Sequence, residues 1–271
     1  MMIPHGLFAI NKPSGLSSVT ALNKIKKFYS KQLKNKLKLG HGGTLDPLAS
    51  GVLVIGVNDG CKRLQEYINC NKTYEAIGIL GLATDTYDSE GKIIATGPTK
   101  HITKEYISQI ISKFTGNIMQ VPPVYSALKM EGRRLYEYAR KGSSLPKDLQ
   151  ARPARIDSLS LLNFTTNHAV QISKNYTVNM NYCENIKQAK TLPWDDVDSA
   201  TSYPIFKIRV ECGRGTYIRS LVHDIGKELG SAAYVVELIR IQQGNFILKR
   251  NTLEWNDCSN LNNIFEALNK N

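Results

Sequence analysis

The spacing of apolar residues along the chain predicts several amphipathic helices. One covers Lys104–Phe114, with Thr103 as its N-cap, and another covers Ile218–Gly230, with the glycine placed to end it. A further helix is predicted to start after Ser17 and Ser18, which are suitable N-caps. Its expected apolar face consists of Val19, Leu22, Ile25 and Tyr29.

Other segments show the spacing that is typical of strands. The continuous apolar run Val52–Val57 predicts a buried strand, and alternation predicts strands over Lys72–Gly81 and Phe206–Cys212. Ala233–Arg240 is predicted as a short helix, followed by a strand over Gln243–Leu248. Because strands and helices do not alternate regularly, the pattern indicates an α+β fold with a mixed, largely antiparallel sheet flanked by helices.

Composition and charge exclude several classes of protein and indicate the kind of partner. The chain has 271 residues, of which 42% are hydrophobic, so it can bury a sizeable core. Its apolar runs are far shorter than the roughly 18 residues of a membrane span, and residues 1–10 do not resemble a secretory signal. The formal charge of +12 favours a polyanionic partner such as nucleic acid, with a solvated basic surface as the alternative.

The basic residues are concentrated in two segments. Lys24–Lys38 contains seven lysines and no acidic residue, and Lys129–Arg155 contains eight Lys or Arg against three Asp or Glu. For the first segment, RNA contact and a solvated helix face are equally good interpretations. The polar, Asn-rich stretch over residues 163–203 is interpreted as an insertion.

The cysteines and histidines do not form a recognisable site in the sequence. The five cysteines are widely spaced and contain no C-x-x-C pair, which favours reduced thiols and an intracellular location, whether nucleus, cytoplasm or mitochondrion. The five histidines are equally scattered, so we predict no metal site. None of the cysteines is expected to be catalytic.

The densest chemical signal is the segment Gly40–Leu53, GHGGTLDPLASGVL. Its glycines permit turns and a close approach of a ligand to the backbone. Pro47 biases Asp46 towards extended geometry, which places a carboxylate on a stiff turn before a buried strand. Such a carboxylate is suited to a cleft, although an Asp-Pro turn on the surface is the alternative.

This segment resembles the catalytic motif of the TruB family of pseudouridine synthases, closest to the eukaryotic branch that modifies uridine 55 in the T-loop of tRNA. Further segments resemble the other motifs of the family in the expected order: Asn11–Gly15, Lys72–Ala76, Pro122–Arg140, and Cys212–Gly230 followed by Val236–Arg240. Because these motifs cover most of the chain from residue 7 to residue 248, the resemblance is specific.

The resemblance implies a role for each matching position. Asp46 corresponds to the catalytic aspartate and Arg219 to the arginine that pairs with it. Tyr74 corresponds to the ring that stacks on the target base, and His41 to the side chain that takes the place of the flipped base. Four further residues correspond to less central positions of the substrate site. Lys12 corresponds to a structural lysine, Lys129 and Arg140 to contacts with the RNA backbone, and Leu238 to a wall of the pocket.

The resemblance also implies the organisation of the chain. We expect a pseudouridine synthase catalytic domain over residues 1–250, with a thumb-like segment over 122–150, and a short tail over 251–271 without an additional C-terminal RNA-binding domain. The reaction detaches uracil, rotates it and reattaches it through carbon 5, so no cofactor or metal is expected. The expected partner is the T-arm of tRNA, bound by a monomer without an obligate protein partner or a membrane.

Several alternatives stay open. A related enzyme could find its uridine with a guide RNA, although Leu48–Gly51 fits the stand-alone branch better. The same scaffold could also serve as a tRNA-folding chaperone. Tyr74 could be an ordinary sheet residue and His41 a loop histidine. Asp46 could attack the ribose carbon or remove a ribose proton.

Overall fold

The computed structural model describes residues 5–33, 37–166 and 203–269 and confirms the α+β class with a mixed sheet. The strands of the main sheet are β1 (Gly6–Lys12), β2 (Leu39–His41), β3 (Ser50–Val57), β4 (Lys72–Leu80), β7 (Gly116–Gln120), β10 (Arg152–Thr165), β11 (Ile205–Cys212), β12 (Ala233–Gln243) and β13 (Phe246–Ile247). They have the order β1-β3-β12-β4-β11-β10-β7, with β13 paired to β12 and β2 paired to β3. Small two-stranded sheets pair β5 (Leu82–Thr84) with β6 (Ile93–Thr96), and β8 (Lys129–Met130) with β9 (Arg133–Arg134).

The helices are α1 (Ser18–Leu33), α2 (Leu64–Asn69), α3 (Lys104–Ser112), α4 (Leu135–Arg140), α5 (Ile218–Glu228) and α6 (Leu261–Asn269). Three predicted helices are observed near their expected boundaries, as α1, α3 and α5. The predicted caps are present, since the Thr103 side chain accepts a hydrogen bond from the Tyr106 amide and Gly230 follows α5 with a φ of +67°. Within the described residues, no helix is long and apolar enough to cross a membrane.

The chain divides into two compact units. The first consists of residues 1–75, 210–214 and 237–271, and the second of residues 76–209 and 215–236. The last segment of the chain belongs to the first unit, where the Leu253 amide donates to the Ala9 carbonyl and Asn11 donates to Leu253. The domain boundary at residue 250 stays a prediction.

In the first unit, β1 and β3 are buried along almost their whole length. Because successive side chains of a strand point to opposite faces, both faces of these strands must be covered by other elements. One face packs on α2 through Leu64 and Tyr67, in a cluster that includes Leu7, Val52 and Phe246. The other face carries Phe8, which lines a small apolar space together with residues of α1 and α6. The predicted buried strand over residues 52–57 is thereby confirmed.

In the second unit, α3 and α5 bury their apolar faces. The buried residues of α3 are Ile107, Ile110 and Ile111, as the spacing predicts, and those of α5 include Leu221, Val222 and Ile225. The two helices also contact each other. The predicted strand over residues 206–212 is confirmed as part of β11.

The segment over residues 233–240 is strand and not the predicted short helix. Its two valines, its isoleucine and its tyrosine favour extended backbone, and burial alternates along most of β12. The pairing of Ile239 with Ser50 and of Arg240 with Gly51 is parallel, so β12 lies beside β3 inside the sheet. The helical interpretation was wrong because a short apolar segment carries too little periodicity to distinguish the two structures.

The buried face of α1 is also rotated from the predicted one. It consists of Ser18, Ala21, Ile25 and Tyr29, whereas Val19 is 54% exposed. The Ser18 hydroxyl exchanges hydrogen bonds with the backbone of Leu45, and this polar anchor turns Val19 outwards. Lys34, Lys36, Cys183 and most of the predicted insertion over 163–203 lie outside the described residues.

Gly51 allows β3 and β12 to approach closely. Its φ is +102°, and a Cβ atom added there would lie 2.3 Å from the backbone oxygen of Arg240. Residues other than glycine rarely adopt this conformation. The backbone of β12 cannot move aside for a Cβ atom without breaking its parallel pairing with β3.

We expect Gly51→Ala to lower the free energy of unfolding by several kcal/mol more than Gly116→Ala. Gly116 has a similar φ of +96° but open space around it, so its substitution costs only the backbone strain of about 1–2 kcal/mol. Denaturant unfolding of both variants measures the difference. Equal losses would contradict the close approach.

Candidate active site

The predicted catalytic loop is a closed turn between β2 and β3. The Ala49 amide donates to the Asp46 carbonyl at 3.1 Å, which closes a four-residue turn with Pro47 at its second position. Before it, Gly42 donates to Val54, and a Cβ atom on Gly42 would lie 2.8 Å from that of Tyr67. The sequence therefore builds a rigid turn that holds a half-buried carboxylate.

The segment that follows β1 fastens one side of this loop. The Lys12 ammonium group is fully buried and donates to the carbonyls of Leu16 at 2.6 Å and Pro13 at 2.9 Å, and at 3.4 Å to Pro47. The Ser14 hydroxyl donates to Leu48 at 2.7 Å. Lys12 is thus placed to position the turn that carries Asp46 through backbone carbonyls.

Two side chains of β12 fasten the other side. Arg240, which is 1% exposed, donates from Nε to the carbonyl of Val52 at 2.7 Å, from Nη2 to Gly43 at 3.1 Å and from Nη1 to Thr44 at 3.4 Å. Gln243 donates from Nε2 to the carbonyls of Gly42 and Tyr67 at 2.5 and 2.9 Å. The glycine-rich loop is therefore hydrogen-bonded along its length before it reaches Asp46.

Tyr74 lies in β4, the strand beside β12, and is 8% exposed. Burial raises the pKa of its hydroxyl, the positive charge and hydrogen bonding of Arg240 oppose that rise, and the negative charge of Asp46 adds to it. Arg240 and Asp46 therefore both lie within electrostatic range of the Tyr74 hydroxyl. Because the pKa is raised above its usual value near 10, the tyrosine is neutral at physiological pH and offers an aromatic face.

The remaining predicted residues of the first unit lie on the same strands. His41 is the last residue of β2, paired with Ile55, so it precedes the glycine-rich loop and is not part of it. Leu238 is buried in β12, two residues from Arg240 and hence on the same side of the strand. The structure thus brings Asp46, Tyr74, His41, Lys12 and Leu238 into one unit.

Arg219 belongs to the second unit, in the first turn of α5, and is 3% exposed. Its Nη1 lies 3.4 Å from a carboxylate oxygen of Asp88 and donates to the Thr86 carbonyl at 2.7 Å, while Nη2 donates to the Tyr125 carbonyl at 2.8 Å. Asp88 in turn accepts hydrogen bonds from the Thr86 hydroxyl and the Glu90 amide. The guanidinium is thus fixed within a polar network.

The start of α5 is held by a buried glutamine. Gln120 accepts a hydrogen bond from the Tyr217 amide at 2.8 Å and donates to the Tyr217 carbonyl at 3.0 Å. Ser220 donates to the Val121 carbonyl. These bonds set the orientation of the helical turn that carries Arg219.

The predicted backbone-contact residues lie on the thumb-like segment of the second unit. Lys129 is exposed on β8, and Arg140 is exposed at the end of α4. The Arg140 guanidinium carbon lies 5.2 Å from the ring centroid of Tyr136, and that of Arg134 lies 5.9 Å from the same ring. Leu135 is fully buried and anchors this segment.

Arg240, Gln243, Gln120 and Asp88 were not identified as supporting residues from the sequence. Their contacts are to residues far apart in the chain, so no local spacing could have revealed them. In the part of the chain that the structure describes, no group of three or more His, Cys, Asp or Glu side chains could hold a metal ion. The described cysteines 61, 70, 212 and 258 are not joined in disulfides.

Comparison with known proteins decides the family. Residues 30–181 match the model of the TruB family pseudouridylate synthase N-terminal domain. The chain belongs to the TruB family. It is 42% identical to mouse pseudouridylate synthase TRUB1, over 93% of this chain and 67% of that protein. It is 34% identical to tRNA pseudouridine synthase 4 of Schizosaccharomyces pombe, over 90% of this chain and 79% of the relative.

A solved structure supports the TruB-family fold. The chain superposes on a chain of a Cbf5-Nop10-Gar1 complex with a TM-score of 0.61 at 24% identity, covering 97% of this chain and 56% of the other. At that identity the match concerns the fold alone. The family and the fold expected from the sequence motifs are therefore both confirmed.

We expect Arg240→Met to lower the free energy of unfolding by about 1–3 kcal/mol, because buried carbonyls of the loop lose their donor. Turnover should fall as well, since the loop that carries Asp46 is released. Denaturant unfolding and single-turnover kinetics measure the two effects. Arg214→Met is the control, because Arg214 is exposed and in the same unit. Equal behaviour of the two variants would contradict the role of Arg240.

Proposed function

We propose that this TruB-family chain isomerises uridine 55 in the T-loop of tRNA to pseudouridine, with Asp46 as the catalytic carboxylate. The observation that carries the proposal is the half-buried carboxylate on a turn fastened by Lys12, Ser14 and Arg240. The similarity to relatives such as tRNA pseudouridine synthase 4 of Schizosaccharomyces pombe supports tRNA as the substrate.

The proposed reaction breaks the bond between the ribose C1′ and uracil N1 and forms a bond between C1′ and C5. C5 loses its hydrogen as a proton and N1 gains a proton, so the atoms of the nucleoside are conserved. Asp46 is suited to two roles, attack on the ribose carbon or removal of a ribose proton, and both need the ionised carboxylate. Pre-organisation matters because a carboxylate held at the reacting atoms avoids the entropy cost of ordering it in each turnover.

The other site residues have proposed roles that fit a flipped base. The buried, neutral ring of Tyr74 offers a stacking surface, and Leu238 supplies an apolar wall. His41 is proposed to fill the gap that the uridine leaves in the RNA stack. Lys129 and Arg140 are proposed to contact the RNA backbone, and the pairing of Arg219 with Asp46 stays a prediction.

Asp46→Asn should abolish pseudouridine formation, by at least about a thousandfold, while tRNA still binds. The amide preserves size but can serve neither as nucleophile nor as base. The measurement is single-turnover conversion of a saturating unmodified tRNA transcript by purified protein without guide RNA, with pseudouridine mapped by chemical probing. The control is Asp59→Asn, which changes an exposed carboxylate paired with Lys62.

Three outcomes would contradict this proposal. Normal turnover of Asp46→Asn would remove the catalytic role of the carboxylate. Conversion that appears only after a guide RNA and partner proteins are added would favour the guide-dependent alternative. Accelerated tRNA folding that survives Asp46→Asn, with no pseudouridine from the wild-type protein, would favour a chaperone.

His41→Ala should slow the single-turnover rate more than it weakens tRNA binding. The imidazole is proposed to stabilise the rearranged loop after the base has left it, and not to bind phosphate. Rate and affinity are measured separately on the same transcript. A large loss of affinity with a retained rate would contradict the assignment.

A further inference from the structure

One exposed ridge of α1 is formed by Lys24, Lys27 and Lys31. Their spacing of three and then four residues places them on the same side of the helix. All three side chains belong to exposed residues, and α1 contains no Asp or Glu. Among the described residues none of the three takes part in an ion pair, in contrast to Lys62 and Lys113.

The ridge is presented by a firmly held helix. The opposite side of α1 buries Ala21, Ile25 and Tyr29, and the Tyr29 hydroxyl donates to the Cys258 carbonyl. Because the apolar side of α1 is already packed, the helix cannot insert it into a lipid surface, as an interfacial amphipathic helix must. The free side is therefore suited to electrostatic contact with a polyanion.

The ridge also has a defined distance from the catalytic turn. At the start of α1, the Ser18 hydroxyl lies 2.8 Å from both the amide nitrogen and the carbonyl oxygen of Leu45, the residue before Asp46. At about 1.5 Å per residue, Lys24 lies about 9 Å and Lys31 about 20 Å along the helix axis from Ser18. The three lysines thus span about 10 Å of the helix, and the span begins about 9 Å from the end that contacts Leu45.

We propose that Lys24, Lys27 and Lys31 form a phosphate-binding ridge that contacts the tRNA backbone about 9–20 Å along the α1 axis from Ser18, which holds Leu45 next to Asp46. The inference rests on the proposed function, because it takes tRNA as the polyanion. A nucleic-acid strand carries one charge per about 3.4 Å of axis in a duplex, so a ridge of about 10 Å faces several phosphates. Lysine contacts of this kind contribute affinity and register and are indifferent to base sequence.

The test compares two triple variants of the full chain with equal changes in net charge. In the first, Lys24, Lys27 and Lys31 become Gln. In the matched control, the exposed Lys92, Lys100 and Lys104 of the second unit become Gln. The dissociation constant for an unmodified tRNA transcript is measured between 50 and 200 mM salt, together with the single-turnover rate at saturating tRNA.

The ridge variant should lose on the order of tenfold to a hundredfold in affinity, and its salt slope should fall by about 2–3, since each phosphate contact contributes about 0.9. Its saturating rate should match that of the wild-type protein, because the ridge does not touch the reacting atoms. A wild-type salt slope, or an equal loss in the control, would overturn the proposal.

Two further outcomes distinguish this proposal from failure of the proposed function and from membrane binding by the ridge. Absence of pseudouridine in tRNA treated with wild-type protein would overturn the proposed function, whatever the salt slopes show. Binding to phosphatidylserine vesicles that is lost in the ridge variant, with unchanged tRNA binding, would assign the ridge to a membrane and overturn the RNA proposal.

Discussion

The buried guanidinium of Arg240 is the interaction on which the candidate site depends. An arginine that leaves water must replace its hydration with protein acceptors, and here the carbonyls of Val52, Gly43 and Thr44 supply them. A planar group with several donors in fixed directions can join a strand to a loop in a way that lysine cannot. The loop conformation and the charge of the arginine therefore support each other.

This contact requires β12 to lie directly beside β3. The parallel pairing of Arg240 with Gly51 brings the arginine to the loop, and the positive φ of Gly51 permits the approach. The same strand places Leu238 on the side of the sheet that carries Arg240. It continues to Gln243, whose side chain donates to the Gly42 carbonyl. The order of strands in the sheet thus determines which side chains can support the turn that carries Asp46.

In the second unit, Arg219 is likewise a buried arginine whose lost hydration is replaced by protein acceptors. There the buried cation is compensated by the Asp88 carboxylate and by carbonyls of Thr86 and Tyr125. Both charged partners are almost fully buried, so loss of either would leave an unpaired charge inside the protein. In each unit, a buried arginine is held by polar partners that are distant in sequence.

The sequence by itself determined the elements with strong periodicity and the residues with unusual local chemistry. Apolar spacing predicted α3, α5 and β3, and the glycines and proline around Asp46 predicted a stiff turn, because these signals act within a few residues. Ordered motifs then identified the family. The tertiary structure alone decided that residues 233–240 form a strand, that Ser18 turns Val19 outwards, and that Arg240 supports the loop. These outcomes depend on pairing and burial between segments far apart in the chain, and local propensity is too weak to determine them.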